Sequence, residues 1–291
     1  MGLTRFILLA CLLLIKNITI FAQETSSVAE AIEAVRQSGD TTLILFEMNL
    51  DAIPDELLNL SQLEVLELSG NNLSDLPADF ANLSNLRELS LADNAFTTFP
   101  DILLAMPSLE RLTLADNQLM MLPDDLSDLT NLHTINLRNN LLETLPLGLT
   151  TLPTIRNLNL TNTSLQDLPA EIAQMSSLQS FLLDNNALVT LPAEIANMAD
   201  LRELSLSGNQ LQDIPPEIAQ LSNLRFITLA GNPLERVPDD VNIFSVQSVQ
   251  AYAQSPRGLL LEAFSLWAII AVGGVCLFVV LVRWLLTQDA S

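Results

Sequence analysis

A 23-residue frame recurs nine times without an insertion or deletion. Its marker position reads Met48, Asn71, Asn94, Asn117, Asn140, Thr163, Asn186, Asn209 and Asn232. One copy in full is Leu63, Leu66, Leu68, Asn71, Leu73, Leu76, Pro77, Phe80 and Leu83. Adding 23 to each gives Leu86, Leu89, Leu91, Asn94, Phe96, Phe99, Pro100, Leu103 and Met106. A fixed period of this length specifies a stack of like supersecondary units, each burying its apolar face against its neighbours. A slip of one residue would turn buried leucines outward, so the unbroken spacing means a single held register.

The spacing changes character inside each copy. Leu66-x-Leu68 has period 2 and predicts a short strand with one buried face. Pro77-x-x-Phe80-x-x-Leu83 has period 3 and predicts a short helical or 3₁₀ turn on the opposite side. Proline suits the start of such a turn, where its missing N–H costs nothing. Acids follow it at Asp79, Asp101, Asp124, Glu171, Glu194, Glu217 and Asp239, where they complement the turn dipole. Successive strands then stack in parallel, and nine of them make a concave sheet about 40 Å long. The segment Pro146–Thr154 breaks the pattern with Gly148 and Pro153, and Thr163 follows in place of Asn. A local bend or looser packing is expected there.

Each marker Asn lies where the chain leaves its strand, among backbone groups that no regular ladder serves. Buried backbone groups need partners, and a carboxamide offers both donors and an acceptor. Asn71, Asn94, Asn117, Asn140, Asn186, Asn209 and Asn232 are therefore expected to form a structural ladder joining one repeat to the next. The pattern resembles the leucine-rich repeat family over residues 43–244, and its L-P ending and uniform length are similar to the SHOC-2-like and bacterial subclasses. The resemblance implies an α/β solenoid: a horseshoe with a parallel concave β-sheet, short helical or 3₁₀ convex turns, and a role as a binding scaffold.

The ends predict the compartment. Arg5, the apolar run Phe6–Ile15 and Ile20-Phe21-Ala22 read as a signal peptide over residues 1–22. Leu8–Cys11 formally matches a lipobox, but the apolar core before Cys11 is too short. Residues 23–42 read as a helical cap, with Ser27 as N-cap, Val28, Ile32 and Val35 on one side, and a stop near Gly39. Residues 245–262 read as a C-terminal cap and juxtamembrane stalk; Val241 and Phe244 just before them, with Val249 and Tyr252, are expected to cover the far end of the stack. Ala263–Val282 carries no charge and Trp267 and Trp284 fall near its two ends, which predicts one C-terminal transmembrane helix over 263–284. Residues 285–291 form a short cytoplasmic tail. A cleaved signal places the repeats outside, extracellular or periplasmic; Arg257 and Arg283 leave the flanking charge nearly balanced. A C-terminal segment removed by sorting is the alternative. Both cysteines, Cys11 and Cys276, lie in these apolar segments, so disulfide end caps are not expected.

The net charge is −22, and loss of Arg5 and Lys16 with the signal deepens it by two. Such a surface repels nucleic acid and anionic lipid. Calcium needs six to eight oxygens from a compact loop, and pairs such as Asp124–Asp125 lack that spacing. His133 is the single histidine, which argues against a zinc site or a Ser/His/Asp set. No metal, no cofactor and no enzymatic activity are expected.

Recognition is expected on the strand positions that the core does not use. In the middle of the array these are Arg111, Asn136, Arg138, Asn157, Asn159 and Leu182. Two arginines in an acidic chain predict a local positive spot, and the amides supply paired donors and acceptors. The expected partner is a protein or peptide, with a glycan as an alternative. A rival expectation is an accessory subunit that packs laterally on another membrane protein.

Overall fold

The computed structural model describes residues 20–21, 27–237 and 245–255. The chain builds one parallel sheet of ten strands in sequence order, β1 Ile20–Phe21, β2 Thr42–Ile44, β3 Val65–Glu67, β4 Glu88–Ser90, β5 Arg111–Thr113, β6 Thr134–Asn136, β7 Asn157–Asn159, β8 Ser180–Leu182, β9 Glu203–Ser205 and β10 Phe226–Thr228. Strands β2 to β10 are the nine repeats. Each pairs with the next at an offset of 23, as Leu66 does with Leu89 and Leu89 with Leu112. The two-residue β1 pairs with β2 and falls at the end of the segment read as a signal peptide.

The frame leucines form one continuous core. Leu63, Leu66, Leu68, Leu73, Phe80 and Leu83 are all buried, as are their counterparts along the array. Phe80, Phe96 and Phe181 take the same interior places as leucines and are fully covered. The convex side carries 3₁₀ turns at Leu57–Asn59, Ala78–Asn82, Asp101–Ala105, Leu147–Thr151, Ala170–Gln174, Ala193–Asn197 and Pro216–Gln220. Proline caps these turns at Pro77, Pro100, Pro146, Pro169, Pro192 and Pro215. Asp79, Asp101, Glu171, Glu194 and Glu217 lie in their first turns.

The irregularity expected at Pro146–Thr154 reaches back into the preceding repeat. Leu147–Thr151 forms a 3₁₀ turn with Leu149 fully buried, but Leu152 after it is extended, φ −66° and ψ 115°, and its N–H does not close the turn as Leu83 N–H does onto Phe80 O. The turn that is missing follows Pro123. There Leu126 N–H donates to Thr151 Oγ1 at 2.9 Å, whereas Phe80 N–H in the regular geometry donates to Pro77 O. The freed Pro123 carbonyl crowds Gly148: a Cβ added there would lie 2.0 Å from Pro123 O. Glycine is therefore a packing requirement at this position.

Both ends of the core are covered. Helix α1, Val28–Ser38, buries Ala31, Ile32 and Val35. Ser27 Oγ accepts from Glu30 N–H at 3.2 Å and Glu30 Oε2 accepts from Ser27 N–H at 2.9 Å, a reciprocal cap. Gly39 ends the helix in the left-handed conformation, φ 74°. Helix α2, Val246–Ala253, lies against the last 3₁₀ turn and buries Val246, Val249 and Tyr252. Gln250 Nε2 donates to Leu221 O at 3.0 Å, and the Tyr252 hydroxyl lies 3.0 Å from both Asp213 Oδ1 and Arg236 O. Val241, Phe244, residues 1–19 of the signal reading and the 263–284 helix lie outside the described residues. Among the described residues no helix is long and apolar enough to cross a membrane.

Candidate functional site: the concave face and its two rims

The Asn ladder sets the shape on which the site is built. Asn140 is typical. Its Oδ1 accepts from Leu119 N–H at 2.9 Å, and its Nδ2 donates to Leu114 O at 2.9 Å and Leu137 O at 2.7 Å. Asn71, Asn94, Asn117, Asn186, Asn209 and Asn232 repeat this set, each tying its own turn to the preceding repeat. Their side chains are fully committed to backbone, which leaves none for a ligand.

Thr163 keeps one of the three bonds. Its Oγ1 donates to Leu160 O at 2.8 Å, but it makes no counterpart of the bonds to Leu137 O and Leu142 N–H. Asn186 compensates in part, since its Oδ1 accepts from Thr163 N–H and Leu165 N–H and lies 3.1 Å from Thr163 Oγ1. The residue after each missing Asn turns left-handed, Asn49 at φ 54° and Ser164 at φ 68°.

A second column, not singled out in the sequence, precedes the ladder. Glu47, Gly70, Asp93, Asp116, Asn139, Asn162, Asn185, Gly208 and Gly231 all have positive φ. Only glycine, Asn and Asp adopt this conformation readily, so the column is confined to those types except at Glu47. The signal was present as a nearly pure Gly/Asp/Asn column one place before the marker. On this rim Asn139 Nδ2 donates to Asp116 Oδ1, and Asn162 Nδ2 donates to Asn139 Oδ1 at 2.8 Å.

Between the rims, the parallel register brings the expected site residues onto neighbouring strands. Arg111, Asn136, Asn157, Asn159 and Leu182 lie on β5 to β8, and Arg138 just beyond β6. Several are already engaged. Asn136 Oδ1 accepts from Arg138 N–H at 3.1 Å, Asn159 Oδ1 from Thr161 N–H at 2.9 Å, and Asn157 Nδ2 donates to Thr134 Oγ1 at 3.1 Å. Arg111 pairs with Glu88 on the preceding strand, and Arg138 lies 4.0 Å from Asp116. Hydrogen bonding to Glu88 raises the Arg111 pKa further. The expected positive spot is thus neutralised by acids one strand away, and what remains is a half-exposed polar lattice.

The fold and lattice match known repeats. The leucine-rich repeat profile matches residues 41–96, 153–211 and 176–234. The repeat array belongs to the leucine-rich repeat family. Comparison with curated proteins returns no match. Among solved structures, a leucine-rich repeat protein of Leptospira interrogans is 29% identical, with a TM-score of 0.62, over 73% of this chain. The chain spans 59% of that protein's length. Internalin C2 of Listeria monocytogenes is 26% identical, with a TM-score of 0.62, over 70% of this chain and 92% of its own. The leucine-rich repeat fold is a protein-binding scaffold in general, without chemistry of its own.

Two further leucine-rich repeat surfaces escaped the strand-by-strand reading. At the strand entrances, Glu64, Arg87, Glu110, His133, Arg156, Gln179, Arg202 and Arg225 form a column that is exposed except at the half-buried Glu110, His133 and Gln179. Each N–H bonds the carbonyl of the one before at 2.7–2.9 Å, as Arg202 does to Gln179 and Arg225 to Arg202. On the convex side, beside the altered turn after Pro123, a cleft has Leu76, Phe99 and Ile102 as its apolar lining and Asp75, Asp101 and Asp128 among its walls.

Proposed function

We propose that this chain is a single-span surface or envelope protein whose leucine-rich repeats recognise a protein or peptide partner through the concave face. One observation carries the reading. Strands β2 to β10 present three in-register columns that the core does not need, and those columns hold Arg111, Asn136, Arg138, Asn157, Asn159 and Leu182 side by side. Anchoring and an outside location come from the signal-like residues 1–22 and the uncharged Ala263–Val282. N-terminal sequencing of the purified protein tests the compartment; a chain beginning at Gln23 is expected, and one beginning at Met1 overturns it. Carboxylate-directed cross-linking with mass spectrometry suits a chain that has no lysine after Lys16. A partner captured this way is expected to bind about tenfold more weakly when Asn136 and Asn159 are both changed to Arg. Unchanged affinity would remove the concave face as the site.

A second reading has its own support. Met120, Met121 and Leu141 are 49–68% exposed on the descending side of adjacent repeats, and Leu147 is 45% exposed at the start of the convex turn that follows. Exposed apolar groups clustered this way fit lateral packing on another protein. Cross-links that map to this flank in a stoichiometric complex would favour an accessory subunit.

A further inference from the structure

Arg156, Arg202 and Arg225 are unlike the other arginines of the concave side. Arg87 pairs with Glu110 at 2.9 Å, Arg111 with Glu88 and Arg138 with Asp116. Among the described residues, Arg156, Arg202 and Arg225 have no ion pair and no side-chain hydrogen bond, and all three are exposed. The neighbouring acid Glu203 instead accepts from Ser180 Oγ at 2.7 Å. The backbone ladder stacks these positions in register, with only Gln179 between Arg156 and Arg202. The strip is therefore about 14 Å long, the reach of about four extended residues.

Next to Arg225 lies Phe226, which is 67% exposed, on the last strand of the sheet. An unsatisfied cation row beside a bare aromatic is the composition of an interface anchor rather than of a solvated edge. The guanidinium fork suits carboxylates in particular. The chain as a whole carries −22, so a long polyanion is repelled by everything beyond the strip. A segment with a few carboxylates lies within the local field, which decays over about 10 Å at moderate salt.

We propose that the Arg156–Arg202–Arg225 rim and Phe226 dock an acidic, apolar-bearing segment of a partner protein. The carboxylates bridge the arginines and an apolar side chain covers Phe226. This deepens the concave-face reading and rests on it, since it names the chemistry of the partner at one rim of that face.

The test uses the full chain in neutral detergent and short fluorescein-labelled peptides alternating leucine with glutamate, glutamine or lysine. Fluorescence anisotropy is expected to show binding of the glutamate peptide alone, weakening as salt is added. R202E combined with R225E is expected to cost about tenfold or more in affinity, and F226S a comparable amount. R156E gives an independent variant two strands away, and R36E on helix α1 is the control. Melting curves establish that each variant is folded. Equal binding of the glutamate and glutamine peptides overturns the proposal, as does full affinity in the R202E/R225E protein. Tighter binding of a sulfated oligosaccharide or of phosphatidylglycerol vesicles to the same arginines overturns the assignment to a protein segment. A captured partner sensitive to Asn136 and Asn159 but indifferent to R202E/R225E sinks this strip and leaves the concave-face reading standing.

Discussion

Asn186 serves two repeats at once. It makes the usual bonds to Leu160 O, Leu183 O and Leu165 N–H, and also accepts from Thr163, where the ladder lacks its Asn. Its removal would strand several buried backbone groups. Asn186→Ala is expected to cost about 3 kcal/mol, against about 1–2 kcal/mol for Asn94→Ala at a more exposed rung. Urea denaturation of the two variants checks the order. Thr163→Asn should do the reverse, because a carboxamide there can reach Leu137 O and Leu142 N–H. A gain of about 1 kcal/mol is expected, together with slower hydrogen exchange at Leu142. At this scale the ladder was legible, because spacing and side-chain chemistry agree. The ion pairs of Arg111 and Arg138 were not, since their partners Glu88 and Asp116 lie 23 and 22 residues away and meet only across the sheet.

The convex turns show how one element constrains the next. Pro123 and Asp124 carry the sequence marks of a turn, yet the 3₁₀ geometry is absent there. Asp125 accepts from Ser127 N–H at 2.9 Å, which lowers its pKa, and Leu126 N–H is taken by Thr151. Gly148→Ala would push a methyl into the Pro123 carbonyl. A loss of about 1–3 kcal/mol is expected, read as a lower urea midpoint. The sequence showed the half of the anomaly around Gly148, because glycine is visible. The cause was invisible because it is a backbone carbonyl of the preceding repeat.

Helix α2 offers a measurement of its own, since Tyr252 is the only tyrosine. Burial, with Asp213 beside it, pushes the Tyr252 pKa up to about 12. The unfolded chain loses this proton near its ordinary value of 10.0. The hydroxyl therefore contributes its full stability below pH 10 and loses it as pH rises toward 12. Phenolate absorbance should titrate late in the folded protein, and alkaline loosening should begin at this cap. Tyr252→Phe should abolish that pH dependence, which circular dichroism against pH can follow.

The whole molecule is a stack held by contacts between neighbours and closed at both ends, under a heavy negative charge. No basic residue lies on the convex side between Arg36 and Arg236, while Asp75, Asp79, Asp101, Asp124, Asp128, Glu171 and Glu194 do. Self-repulsion of this kind weakens a compact state and is relieved by screening. Adding salt at neutral pH should raise the melting temperature, as followed by calorimetry; a flat response would show that the charges are too far apart to matter. The same distribution makes the unpaired arginines at the C-terminal end of the rim the exception on this surface.

The sequence by itself determined the solenoid, its register, the buried leucines, the Asn ladder and the helix that begins at Ser27. All of these follow from short-range periodicity repeated many times. Tertiary structure alone decided which charges are spent and which are free. That depends on what stands one strand away, so it separated the paired Arg111 and Arg138 from the unpaired Arg202 and Arg225. It also extended the irregularity back to Pro123, because a backbone group that swings out of line is felt by its neighbour in space rather than by its neighbour in the chain.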